Sequence, residues 1–483
     1  AWDDHGLIVQ NPDIHVERAW SKLFLRSFWQ TGNNVEDSTR SFYRPLVSIT
    51  YKLDHIVWGL NPAGYHLTNI LLHIVVVWLT YALVRRLLGQ PAPALLAAAL
   101  FAVHPSHVEN VVWISGRTDV VAAVFLLSAL LALPLKDRGG PIGGGRVAAV
   151  CACYLLALLG KESALALPPL LLAYVALQRS IDNRWRRYLP MIAGVTAVTG
   201  GYLLLRIIVL GRMVGPGLFG TPWQRLAAIP AVFGRYLGIM VHWVAIDPHH
   251  PDTYADMTRP GSLVIGTLAM AGYAALLITL WRRRRMTPVF LFAWFPITLF
   301  PVLKLGVFGD VLFADRFLYI PSIGLITGVI AFGRQSRLRQ RLLWVRTLLT
   351  PALLVLFFAA SLALVVIHTP YWRDNRALFE HVVRRSPQSA YIQYNVGNSR
   401  SVDGDDAGAI QAYLRAVQLE PGYAHAFANM GIALAREGRH EDALVCLKKA
   451  LALGDRTVVT YTNLGNVYRA LDRLQDARAA YRA

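Results

Sequence analysis

Eleven apolar stretches of near-bilayer length crowd the first 370 residues, at about 66–84, 92–112, 117–135, 147–160, 163–177, 188–210, 226–246, 261–281, 287–303, 317–333 and 343–367. A spanning helix needs roughly 20 apolar residues, because the hydrocarbon core is about 30 Å thick and each helical residue rises about 1.5 Å. Backbone in lipid must also satisfy its own hydrogen bonds, which leaves helices or closed barrels. The runs predict an all-α, polytopic membrane helical bundle. Charge agrees, since only 16% of the 483 residues are charged, against roughly 25% in soluble domains. An ordinary soluble enzyme is excluded.

The formal charge of +19 raises the question of nucleic acid, and the position of that charge answers it. Strongly basic loops lie at Arg85 and Arg86; at Lys136, Arg138 and Arg146; at Arg179, Arg184, Arg186 and Arg187; at Arg282 to Arg285; and at Arg334, Arg337, Arg339, Arg341 and Arg346. By the positive-inside rule all five face the cytoplasm. Topology thus accounts for the charge, and no nucleic-acid partner is expected. Alternation between Arg187 and Arg282 allows two crossings among three apolar runs. The weakest, 226–246, contains Pro230, Arg235, His242 and Asp247 and is expected to be re-entrant or interfacial on the outer side. Ten crossings follow, with residues 1–65 and everything beyond about 368 on the non-cytoplasmic side. Cys151 and Cys153 sit in an apolar run and Cys446 stands alone, so no disulfide framework is expected. The chain opens Ala-Trp-Asp-Asp and stops inside a helical pattern; it is read as a fragment at both ends, with a further span before residue 1.

From about 390 the sequence repeats itself every 34 residues. Asn395, Asn429 and Asn463 share one position, Gly397, Gly431 and Gly465 a second, and Ala409, Ala443 and Ala477 a third, with Tyr413, Leu447 and Tyr481 at the large apolar position. That is the tetratricopeptide pattern of paired helices, in which small residues allow close approach and stacked pairs bury a continuous core. An α-solenoid of this kind is expected to hold an extended acceptor polypeptide, a purely structural array being the alternative.

The predicted orientation gathers polar clusters at the outer helix ends: Asp3 and Asp4; His104, His107 and Glu109; Arg117 and Asp119; Lys161 and Glu162; Asp315 and Arg316. Tyr43-Arg44-Pro45-Leu46 and the run His66, Asn69, His73 line the mouth of the first visible span. Singly each has a bland reading: a solvated acidic loop, buried Arg117–Asp119 and Lys161–Glu162 pairs, a snorkelling Arg316, a polar helix interface. His104, His107 and Glu109 are zinc-ligand types, but Pro105 disturbs their geometry and no further ligand cluster is near, so no metal is expected. Together, the outer-face cations Arg117, Lys161 and Arg316 break the cytoplasmic bias of the basic residues and suit a lipid-linked phosphate. A carboxylate beside them could act as general base on an acceptor hydroxyl.

These motifs, in this order, resemble the transmembrane and tetratricopeptide-repeat-containing protein O-mannosyltransferases, members of the GT-C class of polytopic glycosyltransferases. The resemblance rests on Trp2-Asp3-Asp4, Tyr43 to Leu46, Gly64-Tyr-His-Leu-Thr-Asn69, Phe101 to Glu109, Ser115-Gly-Arg-Thr-Asp119, Gly160-Lys-Glu-Ser163, Ala314 to Ser322 and the trailing repeats. It implies transfer of a sugar, typically mannose, from a polyprenyl-phosphate carrier to Ser or Thr hydroxyls of proteins on the non-cytoplasmic side. Asp3 or Asp4 would be the base, accepting the hydroxyl proton while the phosphate leaves with inversion. Arg44, His66, His104, Glu109, Arg117, Asp119, Lys161, Glu162, Asp315 and Arg316 are the candidates for holding donor and phosphate, and no cofactor is called for; a divalent cation would find no clear site. Membrane lipids, the lipid-linked sugar and the acceptor protein are the expected partners. Because 41 of the 48 basic residues are Arg, a GC-rich bacterial source is expected, with the catalytic loops in the periplasm, or in the endoplasmic-reticulum lumen for a eukaryotic source.

The expected organisation is an outer loop over 1–65, the GT-C-like bundle over 66–370 and the repeats over 371–483. Two readings compete with it: a GT-C transferase acting on a lipid or glycan, and a membrane scaffold whose repeats recruit partners.

Overall fold

The computed structural model describes residues 4–16, 20–29, 42–134, 142–181, 185–211, 221–241, 254–303, 313–334 and 350–483. Among them there are helices and turns but no strand. They form two compact units, one ending at Thr369 and one over Pro370–Ala483.

Proline sets many helix starts in the first unit. Pro45–Trp58, Pro62–Leu88, Pro91–Ala102 and Pro260–Arg282 begin at a residue whose φ is preset and whose missing N–H costs nothing in the first turn. The Asn61 side chain accepts from the Ala63 amide (3.1 Å), and Gly89 closes the same helix at φ 73°, which a side chain would oppose. Among the described residues six helices are long and apolar enough to cross a membrane: Pro62–Leu88, Ile114–Ala132, Trp185–Leu210, Pro260–Arg282, Asp315–Arg334 and Pro351–Trp372. Pro91–Ala102 and Pro105–Val112 together make a seventh candidate, bent by 55°. The runs 147–160, 163–177 and 287–303 appear as the shorter apolar helices Gly144–Gly160, Glu162–Leu177 and Met286–Leu299. The protein is a multi-pass membrane protein.

In the run 226–246 the described residues form part of the helix Pro222–Ile239, which is not among the described helices long and apolar enough to cross a membrane. It lies so close to Pro260–Arg282 that a Cβ on Gly234 would stand 2.8 Å from Gly266 Cα. Trp294 and Tyr319 are buried in the bundle core, where the Trp294 indole donates to the Ile320 carbonyl (3.0 Å). The first loop is not separate: Leu7, Ile14, Leu23 and Phe28 bury against Val47, Tyr51 and Ile114.

In the second unit the helix Asn375–Arg385 precedes three helix pairs: Ala390–Val402 with Asp406–Leu419, Ala424–Arg436 with His440–Ala452, and Val458–Ala470 with Leu474–Arg482. Ala409, Tyr413, Ala443, Leu447 and Ala477 form one continuous core with their neighbours, as the 34-residue spacing requires.

Candidate functional site

The site grows from the connector Trp113–Gly116, which joins the broken span to the helix Arg117–Ala132. Gly116 makes the joint possible, since a Cβ there would collide with the Glu109 carbonyl. Just before it, Ser115 clasps the first loop: its amide (2.9 Å) and hydroxyl (2.5 Å) both donate to Asp4 Oδ1. Asp4 is buried, and its charge is felt at Tyr51 and at half-buried His66. Asp3 lies outside the described residues.

Arg117 is buried at 0% exposure. It forms an ion pair with Asp54 Oδ2 (2.6 Å) and donates to Asn69 Oδ1 (2.7 Å), the Tyr65 carbonyl (3.0 Å) and Thr50 Oγ1 (3.3 Å). The rings of Tyr51 and Tyr65 lie 4.8 and 5.9 Å from its guanidinium carbon. The Asn69 amide in turn caps the connector, donating to the Val111, Trp113 and Ile114 carbonyls.

Two expected pairings are therefore corrected. Arg117 does not pair with Asp119: two positions apart at a helix start, they face different sides. Asp119 Oδ2 instead meets Lys161 Nζ at 2.5 Å and accepts from Asn110 Nδ2 at 3.2 Å. Nor does Lys161 pair with Glu162, because extended backbone at Lys161 (φ −161°, ψ 145°) followed by a helical turn sends the two side chains apart. Glu162 sits between two arginines. Its Oε2 accepts from Arg44 Nη2 (3.0 Å) and Nε (3.2 Å), and its Oε1 from Arg206 Nη1 (3.0 Å).

Glu109 pairs with the Arg316 guanidinium and accepts from the Arg316 amide (3.1 Å), with Asp315 buried beside it. Arg316, 16% exposed at its side chain, stacks near Trp113 (5.5 Å) and Phe317 (5.1 Å). His104 caps the bend of the broken span, with Nδ1 accepting from the Ser106 amide (3.3 Å). His107 bridges the Phe101 carbonyl (2.9 Å) and Ser322 Oγ (3.0 Å), and His73 lies 2.6 Å from the Tyr319 hydroxyl. Of the face His66, Asn69, His73, the last two are thus tied into helix contacts. Among the described residues no three His, Cys, Asp or Glu side chains converge as a metal set.

Sequence reasoning missed Arg206, Asp54 and Lys52. Arg206 carried a signal, a lone cation inside the apolar run 188–210, where charge is costly unless paired. Asp54 and Lys52 carried none, sitting in an unremarkable amphipathic stretch. Lys52 is fully buried and its ammonium caps the turn Pro12–His15 through the carbonyls of Asp13 (2.9 Å) and Val16 (2.5 Å).

Fold and site together define a multi-pass helical membrane protein that carries a buried layer of paired carboxylates and cations, followed by a tetratricopeptide-repeat unit. A tetratricopeptide-repeat family model matches residues 422–483. Over most of its length the chain's homologues are protein O-mannosyl-transferases, as the motifs led one to expect. It is 24% identical to Protein O-mannosyl-transferase Tmtc3 of Drosophila melanogaster over 99% of this chain and 56% of that protein, and 26% identical to TMTC1 of Homo sapiens over 89% and 54%. A 130-residue stretch is 41% identical to TMTC2 of Mus musculus, covering 27% of this chain and 15% of that one. The chain spans about half the length of the relatives it matches end to end.

Proposed function

We propose that the chain is an integral membrane glycosyltransferase that moves a sugar, mannose on the names of its relatives, from a polyprenyl-phosphate carrier to Ser or Thr hydroxyls of proteins on the non-cytoplasmic face. The observation that carries this reading is that one short connector holds both the first loop, through Ser115 on Asp4, and Lys161, through Asp119, in a layer that also contains the pairs Arg44–Glu162 and Arg316–Glu109. An acid and several cations in one desolvated layer are what a phosphate-leaving transfer needs.

Both donors of Ser115 occupy the Asp4 carboxylate; we therefore assign Asp4 to anchoring the loop and Asp3 to the base. The acceptor oxygen attacks the anomeric carbon and its proton passes to Asp3. The bond from that carbon to the phosphate oxygen breaks, its electron pair leaves with the phosphate, and configuration inverts. Arg44, Lys161 and Arg316 stabilise the departing charge. Glu109, Asp119 and Asp315 hold those cations in place, His66 contacts the sugar from the mouth and His104 fixes the bend. Arg117, enclosed by Asp54, Asn69 and two tyrosines, holds the connector instead of the phosphate. The repeats recruit the acceptor.

The test is a transfer assay in membranes with radiolabelled polyprenyl-phosphate-mannose, comparing wild type, Asp3→Asn and a chain lacking 371–483. Label in protein that both variants lose supports the reading. Full activity in Asp3→Asn refutes the base, and label confined to lipid would move the acceptor to the competing lipid or glycan class. The orientation is tested by an engineered Cys among Arg282–Arg285, whose labelling by an impermeant reagent on intact cells would contradict it.

A further inference from the structure

We propose that a row of asparagines on the first helices of the repeats binds the main chain of an extended acceptor segment, so that the repeats take polypeptide by its backbone and not by its side chains. The proposal rests on the reading above that the repeats recruit the acceptor, and deepens it by naming what they recognise.

Asn395, Asn429 and Asn463 recur at one position of the helices Ala390–Val402, Ala424–Arg436 and Val458–Ala470. Asn398 and Asn466 stand three positions further on, over the same helix face. Neighbouring first helices touch along this line. Asn429 Nδ2 donates to Asn398 Oδ1 (2.9 Å) and to the Tyr394 hydroxyl (3.2 Å), and the Arg436 guanidinium donates to Ser401 Oγ (2.9 Å). The first helices therefore lie side by side, as they do on the inner surface of a repeat superhelix. None of the five asparagines is buried.

Each amide is nevertheless fixed in orientation, because half of it is already bonded. Asn395 Nδ2 donates to the Tyr391 carbonyl and Asn463 Nδ2 to the Val459 carbonyl, both at 2.8 Å, while Asn429 Nδ2 is committed to the preceding repeat. Among the described residues nothing donates to the Oδ1 atoms of these three. Asn398 and Asn466 are held by the other half. Asn398 Oδ1 accepts from the Tyr413 hydroxyl (2.8 Å) and Asn466 Oδ1 from the Tyr481 hydroxyl (2.7 Å), which leaves each Nδ2 to point outward with its protons unused. Tyrosine and asparagine go together: in the middle repeat the corresponding residues are Leu447 and Ile432. A hydroxyl is present where there is an amide to orient and absent where there is none.

Three preset acceptors and two preset donors on one line match a polypeptide main chain, which offers N–H and C=O groups in turn along its edge. Packed helices lie about 8–10 Å apart and an extended chain advances about 3.3 Å per residue, so about three residues pass each repeat. Charge excludes the other common mode of peptide recognition. The face built from positions i, i+3, i+4 and i+7, counted from Tyr391, His425 and Val459, carries no Asp, Glu, Lys or Arg, so an acidic or basic motif finds no counter-charge there.

The test uses the full chain in lipid nanodiscs, titrated by fluorescence anisotropy with a labelled, uncharged Ser/Thr/Ala peptide of about 12 residues, long enough to pass all three repeats. A second uncharged peptide of equal length and unrelated sequence, and the first peptide N-methylated at alternate residues, are the comparisons. The two plain peptides should bind within about threefold of each other, and a tenfold rise in NaCl should change neither by more than about twofold, since no ion pair is made. N-methylation removes main-chain donors and spares the side chains, and should weaken binding at least about tenfold. Asn395→Ala with Asn463→Ala, whose amides bond only to their own helices, should weaken it about tenfold as well. Ile432→Asn with Leu447→Tyr completes the middle repeat, where Gly431 faces Leu447 as Gly397 and Gly465 face their tyrosines; it should tighten binding by about 2–10-fold. Equal binding of the N-methylated peptide, a preference beyond about tenfold between the plain peptides, or unchanged binding by both paired variants at unchanged unfolding midpoints would each overturn the proposal. Peptide binding that follows the expected order, with sugar transfer to protein undiminished in Asn395→Ala with Asn463→Ala, would leave the backbone site standing and refute recruitment of the acceptor by the repeats.

Discussion

Replacing Arg117 by Met should unfold the first unit more readily than any other single change in the charged layer, and the size of the effect follows from what the guanidinium touches. The residue has no exposure, so solvent does not replace its partners. Its loss leaves Asp54, itself buried, with the Thr68 hydroxyl (2.7 Å) as its hydrogen-bond donor, and it strips a donor from Asn69 Oδ1 and from the Tyr65 carbonyl. Removing one partner of a buried pair costs about 3–5 kcal/mol, and each orphaned acceptor adds about 1–3 kcal/mol; these are not additive, and about 4 kcal/mol is the working figure. At roughly 2–4 °C per kcal/mol for a unit of this size, the midpoint of thermal unfolding should fall by about 8–16 °C. The assay is circular dichroism of the detergent-purified chain, run with Arg117→Met, Asp54→Asn and the pair. The double variant should lose at least about 2 kcal/mol less than the two singles together, because it leaves no uncompensated charge. A midpoint for Arg117→Met within about 2 °C of wild type, or strict additivity of the pair, would refute the argument.

Other changes follow from the same contacts. Ser115→Ala removes the hydroxyl donor from Asp4 while sparing the amide bond, so transfer should drop partially where Asp3→Asn abolishes it; equal losses would argue against separate anchoring and base roles. In the repeats, a Cβ at Gly397 would meet the buried Tyr413 ring and one at Gly465 the half-exposed Tyr481 ring, so Gly397→Ala should cost about 1–3 kcal/mol and Gly465→Ala less, as read by urea unfolding of the full chain. The Ala377 amide, foremost, holds the Asp374 carboxyl below its ordinary value of 3.8. A depressed carboxylate stabilises fully above the unfolded value and loses that contribution as pH falls through the lower folded one; Asp374→Ala should therefore cost about 1 kcal/mol at neutral pH and converge with wild type in strong acid.

Periodicity made the architecture legible. Apolar runs near 20 residues and a 34-residue repeat are one-dimensional signals, and the spans Pro62–Leu88 and Pro260–Arg282 and the helix pairs after Ala390 appear where they predict. The polar motifs also announced which residues leave the hydrocarbon pattern. What the sequence could not reveal was partnership. Arg117 and Asp119 are neighbours in the chain, yet their partners Asp54 and Lys161 lie 63 and 42 positions away, distances that only tertiary packing closes. Proximity in sequence suggested pairs that helical direction forbids. Arg206 was visible as an isolated charge in an apolar run, but its role depends on Glu162 turning away from Lys161, which a local motif does not encode.

That rewiring changes what the Ser-Gly-Arg-Thr-Asp motif does. Ser115 clasps the first loop, Arg117 roots the connector in Asp54 and Asn69, and Asp119 holds Lys161, all within five residues. Asp4 and Lys161 are therefore positioned by a single short segment whose stiffness comes from the one member that touches neither. Arg117→Lys separates the two possibilities for that member. It keeps the charge but loses the planar fork that serves Asn69, Tyr65 and Asp54 together. If Arg117 contacts the donor, the change should weaken donor binding and leave unfolding almost unmoved. If it roots the connector, unfolding and turnover should fall together while the affinity for polyprenyl phosphate stays within about twofold of wild type. The enclosure of the guanidinium by Tyr51 and Tyr65 predicts the second result.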